Sequence, residues 1–595
     1  MNTCAQKEHH ADLCVIGGGL AGLTAGLAAA RHGCRVVLMQ DRPVLGGNCS
    51  SEIRMWPLGC HEGWNREAGI LEELQLENLY RNPRKNYSLW DSVLFGAALQ
   101  QPNLELLLNC TCQSAEMAST NRIAAVTGWQ LTTYTSHRIS ADYFADCSGD
   151  SILSFLTGAH FRKGREGREE YGESIAPEKA DACTMGMSCL LQAQQRQAPS
   201  GFIPPAWANR YPSPESFPNR PHDLTDKTFN YWWLELGGTQ DTIADTETLR
   251  DELVKTALGA WDHIKNHGAH HAENWELMWA GFLPGKRESR RYVGAYTMTE
   301  NDVRAEGQFS DVIAYGGWTM DDHHPEGLRY PGEPNIFHPA PSPFGIPLRC
   351  LYSENIENLG FAGRNISVTH AAMSASRVMN TCALLGQALG TAVFVAYKNG
   401  LRDFSALYPA YVPEIQQFLQ EDDCYLPRHR RTVAPGCLTA KLEGAEETIR
   451  DGVDRDLPGE AHGCLLSCGQ EIRYTWDGVK QIRSIRLVFD SDFARETVNS
   501  DPVLRWYPML CNIPAGMEDF HVPATLVKNY RIFWRDAAGQ WKQYRAVTNN
   551  YQRLNHYVCG LAATGLAFLP MSTWGAEKCH VFSFDFEEGP AALSQ

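Results

Sequence analysis

Four groups of residues in this chain have types and spacings that could move protons or fix charge. The densest is Gly316-Gly-Trp-Thr-Met-Asp-Asp-His-His-Pro325, where two acids adjoin two histidines. A carboxylate beside an imidazole makes an oriented base, so His323 or His324, with Asp322 to orient it, reads as a proton acceptor. Adjacent residues rarely ligate one ion together, so no metal site is expected from them. The second group is Gly285-Lys-Arg-Glu-Ser-Arg-Arg-Tyr292, with four cations between Lys286 and Arg291. Guanidinium forks hold carboxylate oxygens two at a time, which makes Arg287 and Arg291 candidates to orient a substrate. The competing reading is a solvated loop paired with Glu288, but the apolar lead-in Trp279-Ala-Gly-Phe-Leu-Pro284 argues against full exposure. His370, at the head of a small-residue segment, is the third candidate. Cys49 and Cys60 are a fourth, a redox-active thiol pair, although they lack the close spacing such pairs use.

The elements that must position these groups begin with a short apolar run, Leu13 to Ile16, suited to a buried parallel strand. Gly17-x-Gly19-x-x-Gly22 then opens an Ala-rich helix that stops at Gly33, and Arg35-Val-Val-Leu-Met39 reads as a second buried strand. Gly17 makes the tight turn, Gly19 lets a pyrophosphate approach the backbone, and Gly22 lets helix and strand pack closely. The helix N-terminus offers its unpaired N–H groups and dipole to the phosphates. Strand, glycine loop, helix and second strand together make a dinucleotide-binding fingerprint. The second strand ends in Gln40-Asp41 where Glu or Asp usually meets the ribose hydroxyls. Gln40 is preferred for that contact, with Asp41 the alternative.

Val44-Leu-Gly-Gly-Asn-Cys-Ser-Ser-Glu52 follows, and a Gly46-Gly47 pair here, with Asn48 after it, suits FAD better than NAD alone. Asp146-Cys-Ser-Gly-Asp150, carrying Gly149, and Phe361-Ala-Gly-Arg364, carrying Gly363, read as two further strand-to-turn segments. The latter leads into a helix from Thr369 whose Gly386 and Gly390 permit close backbone approach to a cofactor or a helix. On these four motifs, which cover roughly the first 400 residues, the chain resembles flavin-dependent oxidoreductases with a glutathione-reductase-type FAD domain. Within them it is similar to a group often named alongside the flavin subunit of heterodisulfide reductase. The resemblance implies FAD and redox chemistry, with Asp146, Gly149, Gly363 and Arg364 joining Gly17, Gly19, Gly22 and Gly46 to Asn48 at the cofactor and His370 facing the flavin. Iron–sulfur clusters sometimes accompany this group. The chain has 19 cysteines but no C-x-x-C, and its nearest approaches, Cys110-x-Cys112 and Cys464-x3-Cys468, disfavour a cluster.

At 595 residues the chain expects two or three domains. The expected fold class is α/β: a Rossmann-like FAD/NAD(P)-binding domain over 1–154 and 341–400, with an inserted α+β substrate domain over 155–340. Residues 401–431 read as a linker or closing helices. Beyond 432, alternating runs such as Gln481–Asp490, Tyr530–Trp534 and His580–Phe586 give an all-β texture resembling a discoidin-type, galactose-binding-like jelly-roll sandwich. With 53 basic against 69 acidic residues, a net charge of −16 opposes nucleic-acid binding. The start lacks the basic and apolar pattern of a secretion signal, and the stretch Cys382–Tyr397 is short for a bilayer, so a soluble, cytosolic protein without membrane partners is expected.

The reading that joins these features is an FAD-dependent oxidoreductase that moves a hydride between flavin N5 and a small polar substrate, with a sugar or glycoside hydroxyl the expected class. His323 or His370 takes the proton while Arg287 and Arg291 orient the substrate. Two alternatives keep the flavin: reduction of an unsaturated carboxylate with an Arg as proton donor, and an electron-transfer subunit serving an iron–sulfur partner. A carbohydrate-binding protein with a vestigial flavin fold is the remaining reading, and a homo-oligomer is compatible with any of them.

Overall fold

The computed structural model describes residues 5–61, 63–222, 224, 230–267, 270–493 and 509–590. The chain divides into two compact units, one of Met1–His61, Arg84–Gln416 and Trp506–Asp519, the other of Glu62–Pro83, Gln417–Arg505 and Phe520–Gln595. The chain therefore passes between units at more places than the linear boundaries 1–154, 155–340, 341–400, 401–431 and 432–595 would have it.

In the first unit, β1 (Ala5–Ile16) and β2 (Val36–Met39) pair in parallel, Leu13 opposite Val36 and Ile16 opposite Met39. β3 (Leu104–Leu107) adds in parallel to β2, and β6 (Thr135–Asp146) adds in parallel to the other side of β1. Leu359–Phe361 pairs in parallel with the last turn of β6, opposite Phe144–Asp146. β5 (Arg122–Gln130) and β4 (Cys110–Ser119) complete the sheet by antiparallel pairing onto the first half of β6. All of β2 and the last six residues of β1 are buried, as a parallel sheet covered on both faces requires.

Helix α1 (Leu20–Arg31) is buried from Leu20 to Ala30, which its Ala-rich sequence permits. It packs against the helix Met379–Lys398. An added Cβ on Gly386 would stand 2.0 Å from the Ala21 carbonyl oxygen, and one on Gly390 2.2 Å from that of Ala25. The Gly386/Gly390 spacing thus seats a helix. Met379–Lys398 is also, among the described residues, the one helix long and apolar enough to cross a membrane, and 89% of its apolar window is buried inside the protein. The helix expected from Thr369 is in fact two, His370–Ser376, capped by the Thr369 hydroxyl, and Met379–Lys398, broken at Arg377 and Val378.

The insert is α+β. Its strands include Met187–Ser188 between Glu235–Leu236 and Gly285–Lys286, Leu191–Gln195 beside Trp275–Ala280, and Met320–His323 paired with Asn335–His338. The 21-residue helix Thr246–Asn266 packs Trp261 and Ile264 into a core with Phe217, Tyr231 and Trp233. Asn512–Ile513 returns to pair with Leu191–Gln195.

The second unit is built on a seven-stranded sheet that is antiparallel throughout. Its long strands are Ile472–Phe489, Leu554–Thr573 and Lys578–Glu588. Register shifts at Thr475/Lys480 and Ile482/Ser484 bend the first of these. Tyr474, Ile485, Phe489, Tyr530, Phe568 and Phe584 fill its core.

Candidate active site

The glycine turns, remote in sequence, meet in the first unit. The Gly46 N–H donates to the Gly18 carbonyl at 2.8 Å. A Cβ on Gly17, whose φ is +100°, would stand 2.5 Å from the Cys147 carbonyl oxygen, so only glycine fits between the two loops. Gly22 does not face solvent: its Cβ would stand 1.8 Å from the Gly17 oxygen, the close packing its place in the motif implies. Gly17, Gly19, Gly46, Gly47, Asn48, Gly149, Gly363 and Arg364 line one cavity of about 690 Å³.

These residues fit FAD on three observations. Around Gly19 a Cβ would meet only the Gly47 Cα, at 4.0 Å, which leaves open space for a pyrophosphate. No side chain caps the N-terminus of α1, and its first residues, Gly19 to Ala21, line the cavity, which suits a phosphate at that helix end. Arg364, on the cavity wall, keeps a buried Nε without a partner while its Nη2 reaches Asp150 at 2.8 Å. Gln40 lines the cavity, but its Oε1 accepts from Gly18 N–H at 2.6 Å and its Nε2 donates to Val44 O at 3.2 Å, so its amide holds the loop. Asp41 lines the same wall with an exposed carboxylate, and Glu52 does so with an unpartnered buried oxygen. Asp146 stands behind the cavity. Its carboxylate accepts from Ser148 N–H at 2.9 Å and Leu153 N–H at 2.8 Å, and from Tyr292. Its role is to shape the turn carrying Gly149.

A second wall of the same cavity carries Arg287, Asp321, His323 and Arg377. Alternation along Met320–His323 puts Asp321 and His323 on one face and Asp322 on the other. His323 Nδ1 lies 2.6 Å from buried Glu235 and its Nε2 3.3 Å from Asp321. Burial works against charge on His323, yet Glu235 and Asp321 outweigh it and raise its pKa above the usual histidine range. Burial would likewise raise Asp321, but His323 and Arg377 overcome it and hold the carboxyl well below the usual range. The group is thus an imidazolium between two carboxylates. Arg287 donates to Ser188 Oγ at 2.9 Å and Trp232 O at 2.8 Å and lies 3.4 Å from Glu235. Arg377, set in the break between helices, donates to the Asp321 carbonyl at 3.0 Å and keeps a buried Nε without a partner.

The remaining candidates lie off the cavity. Asp322 points away from it and accepts from His370 Nε2 at 3.1 Å, so Asp321, not Asp322, is the carboxylate beside His323. His324 stacks on Tyr330 with centroids 3.5 Å apart. Arg291 is fully buried, with its donors spent on Val368 O at 3.0 Å, Gly164 O at 2.8 Å, Glu166 at 2.7 Å and Glu288. It locks the scaffold and has no donor left for a substrate. Cys49 and Cys60 also miss the lining, and burial pushes the Cys49 thiol up to about 12. Of the residues on the wall, alternation could have found Asp321. Arg377, at an interruption in a helix-like run, carries no local signal, nor does Glu235, which stands behind His323 on a two-residue strand.

His370 lies in the same buried network as Arg291, with Nδ1 2.9 Å from Glu288. Burial opposes its charge, but Glu288 and Asp322 outweigh it and raise its pKa to about 10. An unfolded histidine titrates near 6.5, so the stabilisation is complete below about pH 6.5 and is lost as pH rises toward 10. The thermal midpoint of the wild type is expected to fall steadily between those limits. His370→Leu, which takes the imidazolium from Asp322 and leaves Glu288 with Arg291 and the Met185 N–H, is expected to cost about 3 kcal/mol in denaturant unfolding near pH 6.5 and to flatten that slope. A variant with the wild-type slope would refute the assignment.

Several solved structures show a limited likeness to this chain. A geranylgeranyl bacteriochlorophyll reductase-like protein from Thermoplasma acidophilum is 12% identical, covering 70% of this chain and 84% of that one with a TM-score of 0.31. An E. coli quinol fumarate reductase variant is 12% identical over 70% of this chain and 75% of that one, TM-score 0.27. A family 32 carbohydrate-binding module from Streptococcus pneumoniae EndoD is 14% identical over 25% of this chain and 97% of that one, TM-score 0.19. Overlaps this partial carry no weight for function. A soluble pyridine nucleotide transhydrogenase from Marinobacter nauticus is 49% identical over 43 residues, and the match spans 7% of this chain and 9% of that protein. Across residues 12–419, from β1 through the helices that close the cradle, the chain matches the model of the FAD dependent oxidoreductases, and the protein belongs to that family.

Proposed function

We propose that this FAD-dependent oxidoreductase reduces a small anionic substrate, with an unsaturated carboxylate as the best-fitting class. The observation that carries this reading is the place of His323, between the carboxylates of Glu235 and Asp321 on a wall shared with Arg287 and Arg377, where those two acids favour its charged form. FAD, when bound, supplies the hydride chemistry. The fork of Arg377, with its Nε unspent, and the guanidinium of Arg287 hold the carboxylate. His323 donates the proton from Nε2, and Glu235, itself fixed by the Gly186 N–H at 2.7 Å, keeps the ring oriented through Nδ1. Asp41 or Glu52, rather than Gln40, accepts from the ribose hydroxyls.

Oxidation of a sugar or glycoside hydroxyl is the second reading, favoured by Trp232 and Trp318 among the residues that line the cavity. It asks His323 to accept a proton, which its two carboxylates oppose. Anaerobic mixing separates the two. The reduced holoenzyme is expected to be reoxidised by unsaturated carboxylates and not by keto-sugars. Bleaching of the oxidised enzyme by a sugar would overturn the reductive reading. Inertness toward both panels would move the activity to electron transfer with a partner protein.

A further inference from the structure

We propose that His222, His263 and His270, a cluster in the insert well separated along the chain, form a zinc site, with the fourth tetrahedral position left to water. One ring nitrogen from each lies within 4.8 Å of the other two. His263 comes from the last turn of the helix Thr246–Asn266, His222 from the segment after Phe217, and His270 from the stretch leading to strand Trp275–Ala280.

Two of the rings are oriented for metal. His263 Nδ1 lies 2.8 Å from the Tyr211 carbonyl oxygen, and His222 Nδ1 lies 2.7 Å from that of Arg220. A carbonyl accepts only, so each Nδ1 carries the proton and each Nε2 presents a lone pair. This is the tautomer that outer-shell carbonyls impose on histidine ligands. The Nε2 atoms of His263 and His270 are 3.2 Å apart. With zinc–nitrogen bonds of about 2.0–2.1 Å, the ligand–ligand edge of a tetrahedral site is roughly 3.3 Å, so these two nitrogens already stand close to ligand spacing. In the absence of metal, His270 would have to donate to His263.

The surroundings set the cluster apart from the flavin chemistry. The Phe217 ring stands edge-on to His263 at 5.2 Å, within the core that also holds Trp233 and Trp261. None of the three histidines lines the active cavity. An ion held there would tie the long helix to the segments carrying His222 and His270, adding to the bonds that Lys265 makes to the Ala272 carbonyl at 2.7 Å and the Trp275 carbonyl at 2.9 Å.

The test uses chelator-stripped, flavin-loaded protein titrated with Zn2+ alone. The expected result is one equivalent bound per chain, a raised thermal midpoint, and visible absorption of a tetrahedral complex when Co2+ replaces zinc. His222→Ala and His270→Ala alter half-buried positions and should keep full flavin content. Each is expected to weaken zinc binding by more than about 100-fold, beyond the range for losing an outer-shell partner. His263→Gln serves as a third variant with the same expectation. Absent or substoichiometric binding, or undiminished affinity in the flavin-loaded variants, would overturn the proposal.

Discussion

His323→Gln is expected to lower turnover by about 10²- to 10⁴-fold, the usual contribution of a positioned proton-transfer group. Glutamine can still hydrogen-bond Glu235, which lies 2.6 Å from the imidazole in the wild type, so the wall should stay assembled and KM should move only a few-fold. The pH profile gives the sharper readout. A histidine that works as an acid must be protonated, so wild-type kcat should fall as pH rises through its raised pKa. That alkaline limb should vanish in the variant. If His323 were the base of a hydroxyl oxidation, activity would instead fall on the acid side. A variant with more than a tenth of wild-type turnover, or an unchanged alkaline limb, would exclude His323 as the donor.

Gly22→Ala is expected to yield protein without flavin. The new methyl would stand 1.8 Å from the Gly17 carbonyl oxygen and 3.1 Å from Cys147 Cβ, both parts of the loops that cradle the cofactor. Relief requires the loop to move away from α1, and interiors packed at crystal density have no slack for that shift. Overpacking alone costs about 1–3 kcal/mol, and the displaced loop adds loss of the phosphate site. Gly96→Ala is the matched control. It lies inside the helix Tyr87–Leu99 with nothing within 4 Å of the added carbon, so flavin content should be unchanged and stability equal or higher. The flavin-to-protein absorbance ratio of the two variants is the measurement, and a fully flavinated Gly22→Ala protein would contradict the packing argument.

The legible part of this protein was its regular part. Gly17, Gly19 and Gly22 sit between a buried strand and an Ala-rich helix, and each glycine in that setting has one physical use, so fold and cofactor followed from local pattern. The C-terminal strands were legible for the same reason, through their alternation. The active wall was less so. Asp321 and Asp322 are indistinguishable by composition, and only the two-residue period of the strand tells which one shares a face with His323. Gln40 occupies the ribose position of the motif, but its amide is consumed by Gly18, a contact that depends on how the next loop folds back. Arg291 looked like its neighbour Arg287, yet the strand Arg290–Tyr292 turns it into the scaffold. Arg377 was hidden because no residue in its stretch forbids a continuous helix. His222, His263 and His270 were invisible as a group because their spacing belongs to no motif.

The helix Met379–Lys398, seated on α1 through Gly386 and Gly390, also sets an order of events during synthesis. While the nascent chain emerges, the apolar flank of α1 has no cover from this helix until Met379–Lys398 has left the ribosome. Leu191–Gln195 must wait still longer for Asn512–Ile513. Closure of the nucleotide cradle is therefore a late, long-range step, and a chain halted before residue 379 would expose a sticky alanine-rich surface to chaperones in place of a finished pocket.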